Sequence, residues 1–479
     1  MTSRAVAGPA VGRGPRPSAR AFTVLDELNC YFDSPAEPNN VQLEAWLPGH
    51  LSPRTLRAAV AAALAAGPDA RARRTAGPRR AGYAWEFPAA ADVDPVSVTG
   101  WRDEAELDAA RARFLATAPE LDRSPAFRLL LAQGPSWDSL ILNAHHAAFD
   151  GRSCVRLLRL IADLYGRAQP TEADTGTGTG DLDRIDVAAP RSGPRDQPRR
   201  ARRPSSRGTS PRPARKTTRI ASQHAAGRAA RMLPGYGLSL LEWPGVPAAP
   251  RPPGGSRATV NDLLIAALIE TIARWNSTRT RSSGRIRISM PIDTRRPGNA
   301  DELGNLSRLC TITAVPKPVS PRAADSQTVG PRTAAGFVTA SLIASVACQT
   351  AQAKAEPGPL VGPVQAATAR TRLPAPVKRI LVRLALRSVG RLRCDTSLLS
   401  NLGNITDPPR FGELTPVRMW FSPSAHMPRG LSVGAVSVGG RLQVCFRYRK
   451  ALLDDAAGRA FAAEYAAALS ALADREPDR

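Results

Sequence analysis

The sequence predicts an α/β protein made of two layered lobes, and three observations lead there. At 479 residues the chain exceeds one ordinary core, since domains run to roughly 100–200 residues each. Its apolar segments up to Tyr165 alternate between the two-residue period of strands and the 3.6-residue period of helices, the order expected of layered α/β units. A stretch of Thr-Gly repeats, prolines and arginines then breaks the pattern before a second set of strands and helices begins. The expected division is a disordered N-terminus over 1–20, a first lobe over 21–169, a basic linker over 170–232 and a second lobe over 233–479.

Within the first lobe, Val41–Leu47 alternates apolar and polar residues like a half-buried strand. Ser52 and Pro53 occupy the cap and first-turn positions of a helix that runs through Leu56, Val60, Ala63 and Leu64 toward Gly67. A strand follows near 83–87, a helix over 104–117 and a strand over 127–132. Leu140, Ile141 and Leu142 form a further short buried strand, and Val155, Leu157, Leu158, Leu160, Ile161 and Leu164 fall at helical spacing behind it. Residues 169–231 hold too little apolar surface to offset their ordering entropy, which makes them a largely mobile crossover.

The second lobe is expected to open with a short strand over 235–242. A helix whose cap is Thr259 or Asn261 follows, its apolar face made of Leu263, Leu264, Ala267, Leu268, Ile272 and Trp275. Strands are expected over 285–291 and 309–315, and a helix over 334–355. The stretch 374–393 reads as another helix, with Ile380, Leu381, Leu384, Leu386 and Val389 apolar and Arg379, Arg383, Arg387 and Arg391 recurring every fourth residue. Those arginines are either a solvated face or a docking face for phosphates or an acidic carrier domain. Antiparallel strands over 419–421, 430–438 and 441–448, with Gly439-Gly440 as a hairpin turn, and a helix over 452–472 complete the chain.

Charge and cysteines narrow the partners. The net charge is +25, and the segment Arg191–Arg219 holds eleven basic residues against the single acid Asp196, so much of the excess is local. No zinc finger, helix-turn-helix spacing or aromatic interleaving accompanies it, which argues against specific nucleic-acid binding. A basic surface does attract a phosphorylated cofactor or an acidic carrier protein. Cys30, Cys154, Cys310, Cys348, Cys394 and Cys445 are scattered without a Cys-x-x-Cys pair, the pattern of reduced thiols rather than of a disulfide framework or a zinc site. The N-terminal residues lack a signal-peptide apolar run, and no stretch reaches 18 uninterrupted apolar residues. A soluble, cytoplasmic monomer without a transmembrane segment is the expectation.

The chemistry concentrates at His145 and His146, two of only five histidines, adjacent where a buried strand ends and followed four residues later by Asp150-Gly151. A neutral imidazole, with an ordinary pKa of about 6.5, takes a proton from an amine or alcohol near neutrality. Asp150 either fixes a ring tautomer or pairs with a distant arginine that shapes the loop. No Gly-x-Ser-x-Gly nucleophile motif is present, which favours direct general-base transfer. A pair of satisfied core histidines competes with this reading. So does a metal site, weakened because adjacent strand residues point to opposite faces and no cysteine or glutamate cluster stands nearby. Farther on, Ser400, Asn401 and Gly403 bring a hydroxyl, an amide and room for close backbone approach. They suit either the oxyanion of a tetrahedral intermediate or a plain polar turn.

The run His145-His146-Ala147-Ala148-Phe149-Asp150-Gly151 resembles the His-His-x-x-x-Asp-Gly motif of the condensation-domain and thioester-dependent acyltransferase superfamily, which includes chloramphenicol acetyltransferase. Leu25-Asp26, the run from Met290 to Arg296, Leu303-Gly304-Asn305-Leu306 and the Ser-Asn-x-Gly segment at Ser400 are similar to phrases of the same superfamily, in the same order. The likeness covers most of the chain outside roughly 1–20, 170–232 and 318–360. It implies two chloramphenicol acetyltransferase-like lobes in a V with a tunnel between them. It also implies acyl transfer from a phosphopantetheine thioester, on coenzyme A or a carrier protein, to an amine or hydroxyl of a small-molecule or lipid acceptor, with no covalently bound cofactor and no metal. In that frame His146 deprotonates the acceptor or stabilises the charged intermediate, and His145 and Asp150 are structural members of the motif. Arg295 is the partner of Asp150 across the lobes. Gly151 leaves room for the pantetheine arm, and Ser400, Asn401 and Gly403 lie near the tunnel. A catalytically inactive member that recruits a carrier protein as a scaffold is the alternative, and the intact motif argues against it.

Overall fold

The computed structural model describes residues 19–76, 82–168, 217–223, 235–248, 258–279, 284–295, 302–316, 331–355, 371, 373–374, 377–382, 384 and 395–473. Most of the expected N-terminal segment and linker lie outside these residues, as do Arg383, Arg387 and Arg391. Ala19–Ala21, at the end of the segment expected to be disordered, forms β1, paired with β4 (Tyr83–Glu86). With β3 (Arg73–Ala76) these make a small three-stranded sheet, which the sequence pattern did not indicate.

The first large sheet orders β12 (Arg418–Ser422), β2 (Asn40–Leu47), β7 (Asp138–His145), β6 (Phe127–Gln133) and β5 (Val96–Gly100) side by side. Helices α2 (Pro53–Ala66) and α4 (Gly151–Ala168) pack on one face. The shared core includes Leu43, Leu142, Val60 and Leu158. The Ser52 side chain caps α2 and Pro53 sits in its first turn, as expected.

The second large sheet orders β10 (Ser307–Ala314), β9 (Ile286–Asp293), β11 (Ser397–Ile405), β13 (Leu431–Val438), β14 (Arg441–Arg449) and β8 (Tyr236–Trp243). It packs on α5 (Val260–Ser277) and the closing helix α7 (Asp455–Ala473), with Trp275, Phe446, Phe461 and Tyr465 at the centre. Thr259, not Asn261, caps α5, through a reciprocal pair with Asp262. Helix α6 spans Pro331–Ala355.

Three findings correct the sequence reading. The strand at 418–422 does not neighbour β13 in the second sheet; it crosses over and pairs antiparallel with β2, where its buried Met419 and Phe421 join the first core. Part of the expected mobile linker is fixed: Ile220 and Ala221 enter the second core, and the Ala221 N–H donates to Asn276 Oδ1. On the helical residues 377–382 and 384, the apolar Ile380, Leu381 and Leu384 face solvent. Lys378 instead turns inward, 3.3 Å from Glu27, and Arg379 donates to the Asp33 carbonyl. Among the described residues no helix is long and apolar enough to cross a membrane.

Candidate active site

The candidate site is built where β7 stops. Strand pairing holds His145 opposite Asn40, and the His145 N–H donates to the Ala126 carbonyl. The next three residues turn, and α4 starts at Gly151. The turn reverses the alternation a continued strand would impose, so the two imidazoles acquire different tasks. His145 is buried, and the Ala147 N–H donates to its Nδ1 at 3.0 Å. A neutral ring must then carry its proton on Nε2, which lies 3.8 Å from Asp33 Oδ2. Burial opposes the charge on Asp33, but His145 and the Asn39 N–H outweigh it and hold the carboxyl below its ordinary pKa.

His146 is partly exposed, with its N–H bonded to the Asn39 carbonyl. Its Nδ1 sits 3.1 Å from the Phe149 carbonyl, an acceptor, so Nδ1 carries the proton and Nε2 keeps a lone pair. Burial pushes the pKa of this imidazole below its ordinary value, against the upward pull of the Phe149 carbonyl and Asp150. The neutral, proton-accepting form therefore prevails at pH 7.

The loop is clamped from the second sheet. Arg295 grips Asp150 with two guanidinium nitrogens, at 2.8 and 3.1 Å, and both side chains are nearly sealed from solvent. The remaining acceptor positions of Asp150 take the N–H groups of Ser153 and Leu306 at 2.8 and 2.9 Å. Arg295 also donates to Ser153 Oγ and to the Gly304 and Glu302 carbonyls, and Asn305 donates to the His146 carbonyl. The phrase Leu303-Gly304-Asn305-Leu306 is thus a strap across the His-His loop.

Gly151 differs from expectation. A Cβ there would lie 2.7 Å from Leu402 and from Phe421, so its missing side chain lets β11 and β12 pack on the start of α4 instead of leaving room for a pantetheine arm. Ser400, Asn401 and Gly403 sit within β11 around an irregularity in its pairing with β13. Asn401 Oδ1 accepts the Gly403 N–H at 2.8 Å, and Gly403 has φ +80°, a conformation suited to glycine. Asn401 and Gly403 therefore shape this bulge, which carries Leu402 onto Gly151.

One residue of the site was not legible in the sequence. His426, on the loop between β12 and β13, hydrogen-bonds Asn39 Oδ1 at 3.0 Å. Asn39 thereby binds both His146, through its carbonyl, and His426, through its side chain. Burial and the charges of Arg429 and Arg447 depress the pKa of His426 to about 3. An isolated histidine far from the motif gives no pattern signal; only the crossover of β12 brings it here.

No protein-family model matches the chain. Two Mycobacterium tuberculosis proteins, uncharacterized protein Rv2305 of strain H37Rv and uncharacterized protein MT2362 of strain CDC 1551, are each 31% identical over 450 residues, 89% of this chain and 93% of theirs. The chain belongs to their family. The fold of this chain is that of condensation domains. The first condensation domain of the CDA synthetase superposes with a TM-score of 0.60 at 14% identity, covering 95% of this chain and 96% of that domain. The condensation domain of the Monacolin K polyketide synthase gives 0.55 at 13% identity, covering 95% and 97%. A mutant starter condensation domain of rhizomide synthetase in complex with C8-CoA gives 0.56 at 14% identity, covering 96% of both.

Proposed function

We propose that this protein is an acyltransferase that moves an acyl group from a phosphopantetheine thioester, on coenzyme A or a carrier protein, to an amine or hydroxyl, making an amide or ester in natural-product or lipid biosynthesis. The observation that carries the reading is the tautomer of His146. A base is wanted at neutral pH, and here a neutral ring keeps its Nε2 lone pair while Nδ1 is held by Phe149. In the proposed step His146 Nε2 takes the acceptor's proton as its oxygen or nitrogen attacks the thioester carbonyl. Collapse then breaks the C–S bond, and the leaving thiolate receives that proton.

The condensation-domain fold supports this chemistry, and the C8-CoA complex of the rhizomide synthetase domain supports a coenzyme A-linked donor. Asp150 and Arg295 set the loop and do not touch the reacting atoms in this scheme. A tunnel between the sheets would bring donor and acceptor to His146 from opposite sides. Among the described residues the thiols Cys30, Cys154, Cys310, Cys348 and Cys445 are unpaired, which suits a reducing cytoplasm. The test is turnover of octanoyl-CoA with amine and alcohol acceptors, and with the same acyl group on a carrier protein. Product formation that His146→Ala abolishes supports the reading. Turnover undiminished in His146→Ala overturns the role of the base, and carrier-protein binding without any turnover supports a scaffold instead.

A further inference from the structure

Beside His146 the second sheet carries a group of cations that the proposed chemistry does not use. Along β14 the residues Leu442, Val444, Phe446 and Tyr448 enter the core against α5 and α7, so Cys445, Arg447 and Arg449 lie on the opposite face, toward the first sheet. Arg447 is fully buried. Its two terminal nitrogens donate to the Asn40 carbonyl at 3.2 Å and to Asn40 Oδ1 at 2.6 Å, and its guanidinium lies 4.1 Å from the centre of the Tyr236 ring. Arg449 stacks on the same ring at 4.8 Å and donates to the Ala36 carbonyl.

All of these partners of Arg447 are neutral. A buried guanidinium is normally matched by a carboxylate, because its charge is expensive to leave unneutralised in a low-dielectric setting. Two carboxylates stand in the neighbourhood. Glu37 is 3.7 Å from Arg449 Nε and accepts the Met427 N–H, and Asp33 is turned to His145 and Asn39. They stand near the guanidiniums of Arg447 and Arg449, and the charge of Arg429 acts on His426 in the loop between β12 and β13. The Nε atoms of Arg429, Arg447 and Arg449 and the Tyr236 hydroxyl are all buried with no hydrogen-bond partner among the described residues. Arg449 Nε still has the Glu37 carboxylate 3.7 Å away, whereas the Arg447 Nε beside the Tyr236 ring has no such partner, a deficit that native interiors avoid unless something else completes it.

We propose that Arg429, Arg447, Arg449 and Tyr236 form a binding site for a free carboxylate carried by the acceptor substrate. This rests on the acyl-transfer reading and adds the acceptor's chemical class. Arg447 is the buried floor of the site; Arg429, Tyr236 and His426, each partly exposed, are its open side. Burial raises the Tyr236 pKa, so its hydroxyl stays protonated and able to donate. The position assigns the anion to the acceptor rather than to coenzyme A phosphates. Arg447 is bonded to Asn40, and the adjacent Asn39 is bonded to both His146 and His426. The site therefore adjoins the reacting centre, whereas the phosphates of a donor lie beyond the whole pantetheine arm.

Crystals of the full chain grown without sulfate or phosphate and soaked in sodium bromide test the site apart from any turnover. Anomalous density among Arg429, Arg447 and Tyr236, lost in Arg429→Gln, is expected. An absence of bromide there, or a carboxylate side chain of the chain itself filling the cluster, overturns the proposal. Should Arg447→Gln fail to fold, Arg429→Gln at the rim still decides. With octanoyl-CoA as donor, the ratio of KM for leucinamide to KM for leucine is expected to exceed tenfold and to fall toward one in Arg429→Gln. Equal KM values in the unaltered protein overturn the carboxylate assignment. If neither acceptor reacts and the alcohol acceptors and carrier-bound donor of the turnover assay are also inert, the acyl-transfer reading has failed; in either case the bromide result alone then decides whether an anion site exists.

Discussion

At the scale of single residues, His146 and His426 are tied to one asparagine, His146 through its backbone N–H and His426 through its ring. A base works only while deprotonated, and burial lowers the His146 pKa below the ordinary value of about 6.5. The acid limb of kcat/KM should therefore fall below pH 6.5; a limb at or above 6.5 would contradict the assignment. His146→Ala should lower kcat by about 10² to 10⁴, the usual contribution of positioned proton transfer, in the octanoyl-CoA assay. His426 makes a separate prediction about stability. Its folded pKa is about 3 against about 6.5 unfolded, so the unfolded chain binds the extra proton in that window. Stability should then fall as pH drops from 6.5 toward 3, by up to about 1.4 kcal/mol per pH unit from this group. Urea midpoints measured between pH 7 and pH 5 should show a shallower slope in His426→Gln than in the unaltered chain.

At the scale of elements, the clasp between the β7–α4 loop and the β9–β10 strap decides whether His146 is held at all. Arg295 and Asp150 are both nearly sealed from solvent, and cutting one partner of a buried ion pair costs about 3–5 kcal/mol because the survivor is stranded. Arg295→Ala is expected to lose that much in urea unfolding. Asp150→Asn should lose a similar amount, because Ser153 and Leu306 donate to different carboxylate oxygens and an amide offers only one acceptor, its NH2 facing the other donor and the stranded Arg295. A double-mutant cycle with no coupling between the two positions would disprove the clasp. Much of this was readable beforehand. Strand and helix periods placed β2, α2, β6, β7 and α4 because each buries one face on a continuous core, and the motif resemblance named Arg295 for Asp150. The short strands β1 and β3 escaped because partly exposed edge segments such as Arg73–Ala76 carry no apolar alternation, and β5 because its Val-Ser-Val-Thr alternation spans only five residues. The outward-facing Ile380 and Leu384 escaped for the opposite reason: apolar residues at helical spacing normally mark the buried side.

At the scale of the whole molecule, the two sheets are joined by a strand that sequence order assigns to one and hydrogen bonding to the other. β12 leaves the second half of the chain, pairs with β2, and returns through the His426 loop to β13. Its apolar pattern, Met-Trp-Phe, fits either sheet, so the partner is chosen by three-dimensional packing and could not be inferred from periodicity. The contact that permits the crossing is Gly434 on β13. A Cβ at that position would fall 1.9 Å from the Phe421 carbonyl oxygen and 2.9 Å from Pro423 Cδ, so main chain meets main chain with no flexible side chain to yield. Gly434→Val must therefore push β12 away from β13, which would loosen Phe421 from Gly151 and shift the His426 loop together. Overpacking a core costs about 1–3 kcal/mol when side chains can adjust, and here they cannot, so the loss in urea unfolding should exceed about 3 kcal/mol. A Gly434→Val protein as stable as its parent would show that β12 and β13 do not cross at this distance. The placement of His426 beside His146, and the anion site with it, would then fall as well.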